Sequence, residues 1–151
     1  MKRILIAIDF NPSAEIVATI GRDLAKALKA KVKLVHVISD AAYYAIDYSP
    51  IMGYQGAYTK GTASVVREIK KEAQDFLKAA IEHLGDNKIE SAVLEGETAD
   101  AIIEHAVKWE ADLIVMGSHT HKGLERLFVA DVAAHVLKHS KIPLLTVPVS
   151  E

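Results

Sequence analysis

The sequence contains no cysteine, which excludes disulfide bonds, thiolate nucleophiles and cysteine metal sites. No stretch approaches the roughly 18 apolar residues that a membrane-spanning helix needs, and the N-terminus lacks the apolar block of a signal peptide. The formal net charge is only −2, whereas a nucleic-acid-binding protein needs a concentrated basic face. These absences predict a soluble intracellular protein that binds neither nucleic acid nor a membrane.

The composition that is present is that of one globular domain. Half of the 151 residues are apolar and a quarter are charged, which is enough for a full core. Short apolar runs alternate with helical periods along the whole chain. The predicted strands are Arg3–Ile8, Lys31–Ile38, Ile89–Leu94, Leu113–Met116 and Leu144–Val147, and the predicted helices are Ala14–Lys29, Ala63–Leu84, Ala99–Trp109 and Val129–His139. This alternation predicts one doubly wound α/β domain over residues 1–151, with a parallel sheet and helices on both faces.

Residues 39–62 interrupt the alternation. This stretch holds all five tyrosines of the chain and has no clean period. A connection of this length in a compact domain is usually a lid, an interface segment or a disordered segment, and the large apolar area of the tyrosines argues against disorder. We therefore predict a flexible loop, partly ordered as a flap near the ligand crevice or a subunit contact.

Two residues mark the predicted crevice. Asp9 ends the first strand, and Gly117 is predicted to open a loop after the fourth strand. The carboxyl ends of parallel strands lie at one edge of the sheet, where ligands of such folds bind. A strand, a glycine loop and a helix also present backbone N–H groups to a phosphate. Two simpler readings stay open: Asp9 could cap the following helix, and Gly117 could be a left-handed turn residue.

Catalysis and metal binding receive little support. His119 and His121 have no third ligand of the right type beside them, so no metal site is predicted. Ser118 lacks a nucleophile elbow, and Lys122-Gly123 does not complete a Walker loop. We predict no catalytic residue, and an enzyme with rapid turnover is disfavoured.

Five blocks of the sequence carry a family resemblance. ILIAIDFNPSAE, KVKLVHVI, GETADAI, ADLIVMGSH and HSKIPLLTVPV occur in the order and spacing of the universal stress protein family, which the chain resembles over essentially its whole length. The resemblance implies a flavodoxin-like sheet of five strands in the order 3-2-1-4-5, with two helices on each face. It also implies a cytoplasmic stress-response role and a homodimer, in which Leu144–Val149 pairs antiparallel with its copy.

One branch of that family binds ATP through a motif of three glycines followed by a serine or threonine. Only Gly117 matches it here, because Thr120, Ala130 and Asp131 stand at the other positions. The resemblance implies that the part of the site for the base and ribose is retained while the phosphate part is altered. The implied ligand is AMP, or ATP together with Mg²⁺, and ATP is expected to bind weakly or not at all. The implied nucleotide site consists of Ala7, Ile8, Asp9, Val37, Met116, Gly117, His119, Thr120, Lys122, Ala130, Asp131 and Val132.

Two rival functions remain for the same fold. The first is a true ATP binder or slow ATPase, in which Asp131 holds Mg²⁺ or Lys122 and Arg126 supply counter-charges. The second is a flavodoxin-like enzyme or electron carrier. Flavin carriers usually hold the phosphate in a loop rich in serine and threonine after the first strand, and the segment FNPSAE has a single serine there.

Overall fold

The computed structural model describes residues 1–39, 63–119 and 131–149, with only the backbone described for residues 63–65 and 119. Within these ranges the strands are β1 (Arg3–Ala7), β2 (Lys31–Ile38), β3 (Glu90–Glu95), β4 (Leu113–His119) and β5 (Leu144–Val149), and the helices are α1 (Ala14–Leu28), α2 (Ala63–Leu84), α3 (Thr98–Lys108) and α4 (Val132–His139). None of the helices in the described ranges is long and apolar enough to cross a membrane.

All strand pairs of the sheet are parallel, and the strand order is β3-β2-β1-β4-β5. β1 lies at the centre, where Ile6 is in register with Leu34 on β2 and Val115 on β4. β2 and β3 lie on one side of β1, and β4 and β5 lie on the other side. The order of the strands therefore switches between β1 and β4. The predicted fold and strand order are confirmed.

Two apolar layers cover the sheet. On one face α1 and α2 pack their buried residues, such as Val17 and Phe76, against Ile6. On the other face α3 and α4 pack residues such as Ile102 and Val136. The strands read as continuous apolar runs because both of their faces are buried. The prediction of two helices on each face is confirmed.

The buried side of α1 consists of small residues. Ala14, Val17, Ala18, Gly21 and Ala25 are buried, whereas the larger Ile16 and Ile20 are 52% and 41% exposed. A Cβ atom at Gly21 would lie 2.5 Å from Cδ1 of Ile6. At this position α1 lies so close to β1 that a side chain would not fit unless Ile6 moved.

The prediction that a loop opens at Gly117 is wrong, because β4 continues to His119. Gly117, Ser118 and His119 remain in register with Val147, Pro148 and Val149 of β5. The only described glycines with positive φ are Gly85 and Gly96, so the left-handed reading of Gly117 is also wrong. Parallel pairing with β5 keeps the backbone extended past the end of the apolar run.

The other boundaries differ by small amounts. α2 has the predicted limits, and Gly85 follows it with φ +67°, as expected of a C-terminal cap. β3 and α3 are each displaced by one residue from the prediction. α4 was predicted to begin near Val129, but Asp131 has an extended backbone and the helix begins at Val132. The flap was predicted over residues 39–62, of which residues 40–62 lie outside the described ranges.

Candidate functional site

A cavity of about 450 Å³ lies at the carboxyl edge of the sheet. Its walls come from the ends of β1, β2 and β4, from α1, and from the first turns of α3 and α4. The edge between β1 and β4 is the switch point of the sheet, where ligands of doubly wound folds bind. The volume is within the usual range of small-molecule sites, roughly 300–1,000 Å³.

Most of the predicted nucleotide-site residues meet in this cavity. Those that line it are Ala7, Ile8, Asp9, Val37, Met116, Gly117, Asp131 and Val132. The backbone of His119 ends β4, but its side chain lies outside the described part of the chain, as do Thr120, Lys122 and Ala130. The structure thus brings the predicted first and fourth strand ends and the start of α4 to one place.

Several lining residues were not predicted. They come from the turn before α1 and from α1, α3 and β5, and include Asn11, Ser13, Val17, Thr98, Ile102 and Val149. Asn11 and Ser13 could have been predicted, because a helix that starts directly after β1 must begin beside the crevice. Thr98 belongs to the block GETADAI. Its position between a predicted strand and a predicted helix could have placed Thr98 at the carboxyl edge of the sheet. Val149 lines the cavity because β5 continues beyond the predicted Val147 and pairs with β4 up to His119.

A polar turn forms one wall of the cavity. The Oδ1 atom of Asp9 accepts a hydrogen bond from the backbone N–H of Asn11 at 3.1 Å. Oδ1 of Asn11 accepts one from the Ser13 backbone N–H at 3.1 Å and another from its hydroxyl at 2.9 Å. Since Ser13 is the N-cap residue of α1, the carboxylate of Asp9 orders the turn before the helix and does not cap it.

The first turns of α3 and α4 are both capped by carboxylates. Oδ1 of Asp131 accepts a hydrogen bond from the Ala134 N–H at 3.2 Å, and Oε2 of Glu97 accepts one from the Asp100 N–H at 2.8 Å. A helix N-terminus attracts anions through its free N–H groups and its dipole. In α4 the chain's own anion already occupies that position, next to the cavity.

The described lining is negative. Asp9 and Asp131 are acidic, and none of the described lining residues is lysine or arginine. His36 also lines the cavity but is only 7% exposed. Its Nδ1 atom donates a hydrogen bond to the carbonyl oxygen of Ile8 at 2.9 Å, because a carbonyl can only accept. Burial lowers the pKa of His36 from its ordinary value, which favours the neutral ring near pH 7.

The rest of the cavity is apolar and narrow. Val35, Val37, Met116 and Ile102 contribute aliphatic and thioether surface. At Gly117 an added Cβ atom would come within 3.2 Å of Cγ2 of Val17 and 3.5 Å of Cγ2 of Val149. The absence of a side chain there keeps the crevice open. This combination suits a ligand with a flat apolar part and hydroxyl groups.

The fold and the cavity together define a doubly wound α/β protein with a ligand crevice at its switch point. Comparison with known proteins then gives the family. The sequence matches the model of the Universal stress protein family over residues 1–148. The chain belongs to the universal stress protein family.

Curated relatives support this assignment. Universal stress protein MJ0531 of Methanocaldococcus jannaschii is 33% identical over 139 residues, which cover 87% of this chain and 79% of that protein. Universal stress protein MJ0577 of the same organism is 30% identical over 155 residues, which cover 97% and 94%.

Solved structures share the fold. The structure of MJ0577 superimposes with a TM-score of 0.70 at 25% identity and covers 99% of this chain and 97% of that one. A universal stress protein in complex with cAMP has a TM-score of 0.67 at 19% identity, covering 97% and 96%. One from Archaeoglobus fulgidus in complex with dAMP has a TM-score of 0.62 at 22% identity, covering 97% of each chain.

Proposed function

We propose that the cavity binds an adenine nucleoside or mononucleotide and that it binds ATP weakly or not at all. The apolar part of the crevice is suited to the base, and the turn from Asp9 to Ser13 offers carboxylate, amide and hydroxyl groups to a ribose. Structural neighbours in complex with cAMP and dAMP support an adenine ligand with a single phosphate.

The observation that carries the preference against ATP is the position of Asp131. Its carboxylate caps α4 and lines the cavity, at the position where the ATP-binding branch of the family offers a hydroxyl group. A carboxylate about 5 Å from one phosphate charge costs roughly 3 kcal/mol at an effective dielectric constant near 20. The missing charge-assisted hydrogen bond removes roughly 1.5–3 kcal/mol more.

These penalties are large compared with a typical binding energy. Micromolar affinity corresponds to about 8 kcal/mol, so their sum moves ATP to millimolar affinity or weaker. A ligand that places less charge near α4 avoids most of the penalty. Mg²⁺ bridging Asp131 and the phosphates would reduce it, and so would Lys122 or Arg126 acting as counter-charges.

Calorimetric titration of the unmodified protein with adenosine, AMP and ATP tests the proposal. We expect adenosine or AMP to bind more tightly than ATP, both in EDTA and with Mg²⁺. Low-micromolar ATP binding, tighter than that of AMP, would contradict the proposal and favour the ATP binder or slow ATPase. Absence of binding by all three ligands would reject an adenine site altogether.

Restoring the family motif provides the complementary experiment. The combined substitutions Thr120→Gly, Ala130→Gly and Asp131→Ser should recover ATP binding while adenosine affinity changes little. Asp86→Ser is a matched control, because the Asp86 carboxylate also accepts a backbone hydrogen bond, from Lys88, but does not line the cavity. It should leave the affinity for ATP unaltered.

We also propose that the protein acts in the cytoplasmic stress response as a homodimer formed through β5. β5 is an edge of the sheet, hydrogen-bonded to β4 on one side. An exposed edge is a site of unwanted pairing that proteins normally cover, and antiparallel pairing of two copies about a two-fold axis would close both edges.

A further inference from the structure

Three metal-binding side chains from two helices converge beside the cavity. Glu97 is the N-cap residue of α3, Asp100 lies in its first turn, and His135 lies in α4. One donor atom of each lies within 4.8 Å of the donor atoms of the other two. Nε2 of His135 is 3.2 Å from Oδ1 of Asp100.

The backbone around these side chains is well held. α3 and α4 pack side by side on the same face of the sheet. Oε2 of Glu97 accepts the Asp100 N–H at 2.8 Å, whereas its Oε1 atom has only a long contact of 3.4 Å with the Ala99 N–H. Oε1 can therefore bind another partner with the loss of only this weak hydrogen bond.

The ring of His135 is also supported. His139, one turn further along α4, stacks on it with ring centroids 4.2 Å apart. Nδ1 of His139 donates to the backbone carbonyl oxygen of His135 at 2.9 Å. These contacts favour the orientation in which Nε2 of His135 points towards the two carboxylates.

A second histidine–carboxylate pair in the described residues provides a comparison. Nε2 of His83 is 2.9 Å from Oε1 of Glu15, a pair that a hydrogen bond alone explains. Within the described ranges, a third ligand of metal-binding type accompanies a histidine only in the cluster of Glu97, Asp100 and His135. The carboxylates of Glu97 and Asp100, whose donor atoms lie within 4.8 Å of each other, repel each other. A bound cation would remove that repulsion.

We propose that Glu97, Asp100 and His135 form a binding site for a divalent transition-metal ion, with zinc as the first candidate. One imidazole nitrogen and two carboxylate oxygens are ligands that zinc accepts, with bonds of roughly 2.0–2.2 Å. Tetrahedral coordination with such bonds separates the donors by roughly 3.3–3.5 Å, close to the present distance between His135 and Asp100. Three protein ligands leave a fourth position for water or a ligand group.

The site borders the cavity but does not depend on a nucleotide. Thr98, which lines the cavity, lies between Glu97 and Asp100 in the sequence, and Val132 precedes His135 by one helical turn. This cluster could not be predicted from the sequence, because its members meet only through the packing of α3 against α4. The pair of His119 and His121 is not part of the site.

The test is zinc binding by the full chain, with any purification tag removed and no nucleotide present. Competition against a chromophoric chelator should show one zinc ion per chain. His135→Gln and Asp100→Asn should each weaken zinc binding about tenfold or more, equivalent to about 1.4 kcal/mol. The matched control His83→Gln should leave zinc affinity unaltered, because the His83–Glu15 pair lacks a third ligand.

NMR of the histidine rings in the unmodified protein provides a readout independent of folding of the variants. Zinc should shift the ring signals of His135 and leave those of His83 in place. Failure to bind zinc, equal affinity of the His135→Gln variant, or loss of zinc with His119→Gln and His121→Gln instead would overturn the proposal. None of these outcomes bears on adenosine or AMP binding, which the titrations in EDTA measure without zinc.

Discussion

At the scale of single residues, burial decides how much a charge costs. Ile6 lies at the centre of the sheet with 0% exposure, between Leu34 and Val115, while Ile16 on α1 is 52% exposed. The two isoleucines therefore provide the same side chain in opposite environments, and a matched pair of substitutions measures the difference.

Ile6→Asp should lower the free energy of unfolding by several kcal/mol, on the order of 3–5, because it buries an unpaired charge. Ile16→Asp should change it by less than about 1 kcal/mol, since exposed substitutions have small effects. Urea denaturation followed by circular dichroism measures both. Near-normal stability of Ile6→Asp would be incompatible with a buried central strand.

His36 makes stability depend on pH. Its pKa is lowered in the folded protein, mainly by burial, so below the ordinary value of 6.5 the unfolded chain binds more protons than the folded one. The stabilisation from the neutral buried ring is present above pH 6.5 and is lost as the pH falls towards the lowered pKa. The limit is about 1.36 kcal/mol per pH unit.

His36→Asn is the comparison variant, because an amide N–H can replace Nδ1 as donor to the Ile8 carbonyl oxygen without titrating. The free energy of unfolding should fall more steeply between pH 6.5 and 5 in the unmodified protein than in His36→Asn. Equal slopes in urea titrations at several pH values would show that the ring is not buried in its neutral form.

At the scale of elements, capping sets where α4 begins. Asp131 has φ −77° and ψ 99°, and its side chain accepts the Ala134 N–H. Asparagine and serine are N-cap residues about as good as aspartate, whereas alanine lacks an acceptor. The charge of Asp131 can therefore be removed without removing the cap.

Asp131→Ala should lower stability by about 1 kcal/mol, while Asp131→Asn and Asp131→Ser should each stay within a few tenths of the unmodified protein. Thermal denaturation of the three variants and the unmodified protein measures these differences in stability. A loss in Asp131→Asn as large as that in Asp131→Ala would mean that the charge, through the helix dipole, matters more than the hydrogen bond.

The sequence was sufficient where one local signal decided the structure. Gly85 ended α2 at the predicted residue, and the apolar runs identified every strand of the sheet. The end of β4 was missed because it depends on pairing with β5, which no local pattern reveals. The buried side of α1 depends on packing in the same way, because the close approach of the helix to Ile6 favours glycine at position 21.

The candidate site shows the same division. Asp9 and Gly117 could be placed at one crevice because the ends of parallel strands share an edge. The capping bond of Asp131 and the cluster of Glu97, Asp100 and His135 required the positions of α3 and α4 in space. Residue types alone do not give those positions.

At the scale of the whole molecule, the proposed homodimer depends on β5, the last strand of the sheet. The Pro143 carbonyl oxygen accepts the Ile114 N–H, so by the alternation of a parallel ladder the N–H of Thr146 faces away from β4. Pro148 faces the same way and has no N–H to offer, as is usual for proline in an edge strand.

Thr146→Pro should weaken the proposed homodimer while the β4–β5 ladder stays intact. Two-fold symmetry removes two hydrogen bonds at about 0.5–1.5 kcal/mol each, so the dimer dissociation constant should rise about tenfold. Thr146→Val keeps the N–H and is the control. If light scattering finds the same dimer fraction in both variants, or monomer in the unmodified protein, pairing through this edge is rejected.

The central claim is that the negative charge of Asp131 excludes the triphosphate from an otherwise adenosine-binding crevice. Its most direct test is calorimetric titration of Asp131→Asn with ATP in EDTA, with adenosine as the control ligand. We predict that ATP affinity rises about 100-fold, the equivalent of about 3 kcal/mol, while adenosine affinity and thermal stability stay near those of the unmodified protein. ATP affinity that is the same in both proteins would contradict the claim.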